Sequence, residues 1–259
     1  MSNNSFHRPI ALTVAAFDGS SGAGCTADIK TMEQLGVYAL AVCSGVSVQH
    51  ESKFESIQWM PMDLILAQID LLCAKYAVQV CKIGLIQNKS VLVQVISRLR
   101  LHHADIHILV DPIFSASAGF DFHDASSWSK DKAWLYEIDL LTPNAHELQQ
   151  FSPEAHKSKT QLAKELAQYC AILYKGGHNT DTLGTDYLFQ GNQLHTLKPS
   201  STLIAHEKHG SGCVLSAAIA AQLAHGQPLL DACILAKNYI SQFLNSTTAL
   251  LGYHNQQNK

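Results

Sequence analysis

The chain has 259 residues, 47% of them hydrophobic and 15% charged, with a formal net charge of -3. That balance excludes a disordered, tail-rich protein and predicts a sizeable core. The arginines are Arg8, Arg98 and Arg100 alone, which leaves no basic stripe to track a phosphate backbone and excludes nucleic acid as an expected partner.

The opening MSNNSFHRPI lacks the basic start and continuous apolar core of a signal peptide. The longest apolar stretches, near 11–17 and 213–224, are too short and interrupted to span a bilayer, so the expectation is a cytoplasmic protein with no membrane partner. Seven cysteines (Cys25, Cys43, Cys73, Cys81, Cys170, Cys213, Cys233), an odd number without a CxxC pair, argue against a disulfide framework and a structural zinc site.

The first predicted strand covers 10–17 and runs into Asp18-Gly19-Ser20-Ser21-Gly22-Ala23-Gly24, ahead of a helix that includes Asp28 and Lys30. Glycines there let backbone approach a ligand, although the stretch is neither a P-loop nor a dinucleotide fingerprint and also reads as a structural turn. Further short, nearly continuous apolar runs at 38–48, 79–85, 107–110, 139–141, 171–174 and 187–189 read as buried strands, most of them parallel.

Amphipathic helices are predicted between them: Leu64, Ala67 and Leu71 after Pro61; Val91, Leu92, Val95, Ile96 and Leu99 after Asn88; Leu162, Leu166 and Tyr169 after Thr160. The alternation predicts one domain over 1–259, an α/β fold with an open, mostly parallel sheet, helices on both faces and ligands beyond the carboxyl ends of the strands. Residues 187–189 and 194–197, around Gly191-Asn192, read as a hairpin carrying an antiparallel edge strand.

Three more strand-end or helix-start stretches carry chemistry. Asp111-Pro112 and Thr142-Pro143-Asn144-Ala145-His146-Glu147 put carboxylates where Mg²⁺ is held through water, although taken separately Asp111 and Glu147 read first as a cap and a helix N-terminal charge. Lys175-Gly176-Gly177-His178 offers a cation beside two glycines, suited to a nucleotide phosphate.

Lys208-His209-Gly210-Ser211-Gly212-Cys213 opens an Ala-rich helix that is apolar nearly all round, and so is read as buried. Free backbone N–H groups and the helix dipole there suit a phosphate or a developing anion. The dipole is expected to lower the Cys213 thiol from about 8.5, making it a base or nucleophile, against the plain reading of a small buried residue. His146, His178 and His209 form no H-x-x-x-H pair around a glutamate and are taken as surface or supporting groups. The last pattern, Leu229, Cys233, Ala236, Ile240, Phe243 and Leu244, predicts a helix with one core-facing side.

In this order the stretches resemble the hydroxymethylpyrimidine and phosphomethylpyrimidine kinase family of thiamin biosynthesis, a ribokinase-like branch, over about 11–239. The match is carried by Ala23-Gly24 with Ala27-Asp28-Ile29-Lys30-Thr31, Gln49, Lys82-Ile83-Gly84, Thr142-Pro143-Asn144 with Glu147, Lys175-Gly176-Gly177-His178, Asp186-Tyr187-Leu188-Phe189 and His209-Gly210-Ser211-Gly212-Cys213. The resemblance implies a three-layer α/β/α homodimer that uses ATP and Mg²⁺ to phosphorylate 4-amino-5-hydroxymethyl-2-methylpyrimidine twice.

It further implies Cys213 as base and the backbone of Gly210, Ser211 and Gly212 as anion hole. Gln49, Asp28 and the backbone of Ala16 would meet the pyrimidine, Lys175 the ATP phosphates, and Glu147, Asp111 and Asn144 hydrated Mg²⁺. Departures from the family pattern are Ala16 and Gly19 for glycine and proline, Leu85 for methionine, Lys208 and Ser211 for threonines, and Ser117-Ala118-Gly119 for Lys-Ser-Gly. The last removes a cation near the second phosphate. Pyridoxal kinase is a neighbouring alternative, and a pyrimidine-binding protein without turnover a more distant one.

Overall fold

Among the described residues the strands form one nine-stranded sheet with the order β3-β2-β1-β4-β5-β6-β7-β8-β9. The computed structural model describes residues 8–115, 119–120, 122, 126–152, 157–177, 183–199 and 206–254. Its strands are β1 (Ile10–Asp18), β2 (Tyr38–His50), β3 (Lys53–Trp59), β4 (Val80–Ile83), β5 (His107–Val110), β6 (Leu140–Leu141), β7 (Ala171–Tyr174), β8 (Asp186–Gln190) and β9 (Gln193–Leu197). The helices are α1 (Gly24–Gln34), α2 (Met62–Lys75), α3 (Lys89–His102), α4 (Ser126–Ser129), α5 (Ala145–Gln150), α6 (Lys159–Leu166), α7 (Ser211–Ala224) and α8 (Leu229–Leu244). The strands from β2 through β7 pair in parallel, while β3 at one edge and the β8–β9 hairpin at the other are antiparallel.

Successive strand residues point to opposite faces, and the core divides accordingly. Leu12, Ile108 and Val110 pack with α2, α3 and α6 residues such as Ile69, Leu92 and Leu162, whereas Ala11 and Leu109 pack with α1, α7 and α8 residues such as Met32, Ile219 and Phe243. This is the three-layer α/β/α arrangement the alternation predicts. α7 is buried on nearly every side, and the α8 residues Cys233, Ala236, Ile240 and Phe243 are core as expected.

β3 is the strand that the apolar pattern does not announce. Most of its residues face solvent, and it extends only the outer half of the long β2. Among the described residues, no helix is long and apolar enough to cross a membrane.

Candidate functional site

Parallel pairing brings the carboxyl ends of β1, β4, β5, β6 and β7 to one edge, where Asp18, Gly84, Asp111, Thr142 and Lys175 stand at or just beyond the strand ends. The register of β1 against β2 shifts between Ala15 and Phe17, which takes Ala16 out of the regular ladder. Its carbonyl oxygen lies under the start of α1, where a Cβ on Gly24 would come within 2.1 Å of it. Gly24 has φ +62, so glycine is required there twice over.

Gly24→Ala is therefore expected to cost at least about 1–2 kcal/mol from the left-handed backbone alone, with a further cost from displacing Ala16. Urea denaturation checks this. An unchanged midpoint would mean that the backbone relaxes freely, against the tight approach observed.

The reason for that approach is visible across the interface with α7. The Gly24 backbone N–H favours the negative form of the Cys213 sulfur, so the start of one helix faces the reactive group of another. Cys213 is 5% exposed, in the first turn of α7, after Gly210 in the left-handed region at φ +72. The expected lowering of its thiol is overturned. Burial pushes it up to about 11, and the Lys82 ammonium pulls it down by less, with Asp28 and Asp111 opposing.

Beside it, Lys175 donates to Asp111 Oδ1 at 2.7 Å and lies 3.6 Å from Glu147 Oε2. A Cβ placed on Gly212 would be 3.4 Å from Lys175 Nζ, so the ammonium borders the backbone of the 210–212 turn. Asp111 also accepts from Thr142 Oγ1 at 3.0 Å and Ser216 Oγ at 3.1 Å, which fixes the carboxylate against both the sheet and α7. Burial pushes the Glu147 carboxyl up to about 7 despite Lys175, with Asp111 adding to the rise. Burial also opposes the charge on Lys175, but Asp111 and Glu147 outweigh it and raise its pKa.

Two expected roles change and a third is narrowed. Asp28 does not face a ligand: it is 0% exposed, accepts from Lys82 Nζ at 2.9 and 2.8 Å and from Thr13 Oγ1 at 2.6 Å, and so is spent inside the protein. Asn144 leaves the metal set because its Oδ1 caps α5, accepting from His146 N and Glu147 N, while Glu147 Oε2 accepts from Asn144 N at 2.7 Å. Of the surface and supporting readings of His209, its 9% exposure and its 2.9 Å bond to Asp18 leave the supporting one.

Gln49 stands near the end of β2 at a second register shift and donates to Ser47 Oγ at 2.8 Å. Ser117, Ala118 and His178 lie outside the described residues. Among those described, no three His, Cys, Asp or Glu residues cluster as a metal cage. Asp111 and Glu147 nevertheless fit Mg²⁺ held through water and substrate phosphates, which needs only one or two carboxylates.

Sequence reasoning passed over the Lys82–Asp28 pair as a unit, the Asp18–His209 contact and the buried pair Lys237–Asp186, 2.6 Å apart. Asp186 also accepts from Gly176 N at 2.9 Å, securing the residue after Lys175. A lysine inside the apolar run Val80-Cys81-Lys82-Ile83 was the one available signal, since a buried charge requires a partner.

A family model described as phosphomethylpyrimidine kinase matches residues 18–258. The hydroxymethylpyrimidine/phosphomethylpyrimidine kinase of Rhizobium meliloti (strain 1021) is 31% identical over 252 residues, covering 93% of this chain and 92% of that protein. The thiamine biosynthesis bifunctional protein of Geobacter sulfurreducens is 31% identical over 242 residues, and the match covers 91% of this chain but 49% of that protein. Among solved structures, pyridoxal kinase from Staphylococcus aureus in complex with ADP superposes with a TM-score of 0.82 at 20% identity, covering 97% of this chain and 95% of that one. At that identity the likeness establishes the fold alone.

Proposed function

The chain belongs to the phosphomethylpyrimidine kinase family, and from that premise we propose that it transfers the γ-phosphoryl group of ATP to the hydroxymethyl oxygen of 4-amino-5-hydroxymethyl-2-methylpyrimidine, and then phosphorylates the monophosphate to the diphosphate for thiamin biosynthesis. The observation that carries the reading is the convergence of the Cys213 thiol, the glycine-flanked start of α7 and the Lys175 ammonium at the carboxyl edge of the sheet. Phosphoryl transfer asks a protein mainly to position reactants and to stabilise spreading negative charge, and these groups do both.

In this reading the thiolate form of Cys213 takes the proton of the substrate hydroxyl as the hydroxyl oxygen bonds to the γ-phosphorus and ADP leaves. The backbone N–H groups of Gly210 and Gly212 hold the transferring group, while the Ser211 N–H, expected to join them, donates to Lys208 O at 3.3 Å, and Lys175 meets the ATP phosphates. Asp111 and Glu147 would hold hydrated Mg²⁺, which when bound supplies charge neutralisation at those phosphates. Gln49 and the backbone at Ala16 meet the pyrimidine. Asp28 acts instead through Lys82, as an internal support of the site floor.

The test is product formation followed by mass spectrometry, with the hydroxymethylpyrimidine and pyridoxal offered together with ATP and Mg²⁺. Monophosphate and then diphosphate on the pyrimidine is the expected result. Phosphate on pyridoxal alone would overturn the substrate assignment, and monophosphate without diphosphate would overturn the second step, where Ser117 replaces a cation.

Lys175→Met is expected to lower kcat/KM for ATP by about 100-fold, or about 2.7 kcal/mol, while changing pyrimidine binding little. Equal losses for both substrates would count against its assignment to the phosphates. The same reading extends to a cytoplasmic homodimer of single-domain chains. Light scattering should then give twice the mass of the chain, and a monomer at micromolar concentration would refute it.

A further inference from the structure

Two glycine-rich turns, far apart in the chain, meet at the candidate site in direct backbone contact. A Cβ on Gly210 would come within 2.1 Å of Gly22 O and 2.8 Å of Ala23 Cα, and one on Gly22 within 2.5 Å of His209 Cδ2. The first turn is shaped by Asp18: its Oδ1 accepts from Ser20 N at 2.9 Å and its Oδ2 from Ala23 N at 2.9 Å. His209 Nε2 reaches the same Oδ2 at 2.9 Å from the second turn, across 191 residues of chain. A carboxylate only accepts, so Nε2 donates.

Packing alone does not call for a histidine there. Its Nδ1 is buried without a partner among the described residues, a cost that an apolar side chain of similar size avoids. What the imidazole adds is the bond to Asp18. Burial works against the Asp18 charge, yet the bonds from His209, Ala23 and Ser20 outweigh it and hold the carboxyl below its ordinary range.

The first turn ends at Gly24, whose N–H favours the negative form of the Cys213 sulfur, and the second ends at Cys213 itself. The main chain of His209 is also held, its N–H donating to Leu250 O at 2.9 Å. We propose that the Asp18–His209 bond is a positioning device that sets the register of the two turns, so that Cys213 and the backbone of Gly210 and Gly212 face the substrate together. The pair acts through its neighbours and does not touch the reacting atoms. This inference rests on the kinase reading for its kinetic consequence but not for its structural one.

Glutamine places an amide N–H where Nε2 stands and can still reach Asp18, whereas asparagine places it where Nδ1 stands and cannot. His209→Gln should keep kcat within about threefold, and His209→Asn should lose about tenfold to a hundredfold in kcat with a smaller change in KM, as expected for misplaced catalytic groups. Independently of turnover, the rate of Cys213 alkylation by iodoacetamide, read by peptide mass spectrometry, should rise several-fold in His209→Asn and stay at the parental rate in His209→Gln.

Equal behaviour of the two variants, in either direction, overturns the proposal. A parent enzyme that leaves the pyrimidine and ATP untouched refutes the kinase reading instead, and the alkylation comparison still decides the positioning role. Should neither variant fold, nitrogen NMR of the parent imidazole decides: a proton on Nε2 is expected, and a ring protonated at Nδ1 alone overturns the bond.

Discussion

Replacing Cys213 with alanine is expected to lower kcat by about 10²–10⁴-fold, the usual range for losing a general base, while pyrimidine KM changes by no more than a few-fold. The split follows from what the thiol touches. The Lys82 ammonium and the Gly24 N–H both favour the negative form of the sulfur. They do so against the larger effect of burial, and the thiolate they favour is the form that accepts the substrate hydroxyl proton in the transition state. That interaction exists only while the proton moves, so its removal appears in kcat and not in ground-state binding. Parallel losses in kcat and affinity would instead make Cys213 a packing residue of the pocket.

The pH dependence has a definite sign. Because burial lifts the thiol to about 11, the thiolate is a small fraction at neutrality and grows as pH rises. In the parent, kcat/KM for the pyrimidine should climb across pH 7 to 9, and the slope should vanish in Cys213→Ala. A plateau near pH 7 in the parent would mean that the site holds a far more acidic thiol than its surroundings allow.

The frame of this molecule is written in local pattern. The run at 107–110 is β5 itself, the amphipathic spacing after Asn88 is α3 with Asn88 as its cap, and the Gly191-Asn192 turn joins β8 to β9. Such features depend on side chains a few positions apart, which a sequence displays directly. What failed to show depends on residues brought together by the fold. The helix dipole at Cys213 can be read from glycines, but the burial that overrides it comes from α1 and the sheet, which no local pattern announces. Asn144 and Glu147 stand at capping-box spacing, yet the same pair also suits a metal, and only the geometry of α5 decides for the cap. Asp28 looks like a ligand for a pyrimidine until Lys82, on a strand 54 residues later, is seen to occupy both of its oxygens.

Lys82→Met is expected to be the most damaging change to stability, at about 3–5 kcal/mol, the cost of breaking a buried pair by removing one partner. That is a large share of the roughly 5–15 kcal/mol that holds a typical domain together. Both side chains are 0% exposed, so no water compensates the carboxylate left behind, and among the described residues Thr13 alone still donates to it. Even a Cβ on Gly84 would come within 2.8 Å of Lys82 Nζ, so the ammonium already fills the space available to it. Burial raises the Asp28 pKa even with its partner in place. Without Lys82 the carboxyl takes up a proton in the folded state that the unfolded chain does not bind near neutrality, so the deficit should shrink as pH falls and widen as pH rises.

The companion variant Lys82→Met/Asp28→Leu removes both charges and should recover most of the loss, because an apolar pair of similar volume carries no desolvation cost. Its turnover should not recover with its stability, since the ammonium that favours the Cys213 thiolate is gone from both variants. Urea midpoints at pH 5 and pH 8, measured beside kcat, separate the two effects. A single variant that loses less than about 1 kcal/mol at pH 8 would show that Asp28 reaches water, and the enclosed pair would then not be what supports the floor of this site.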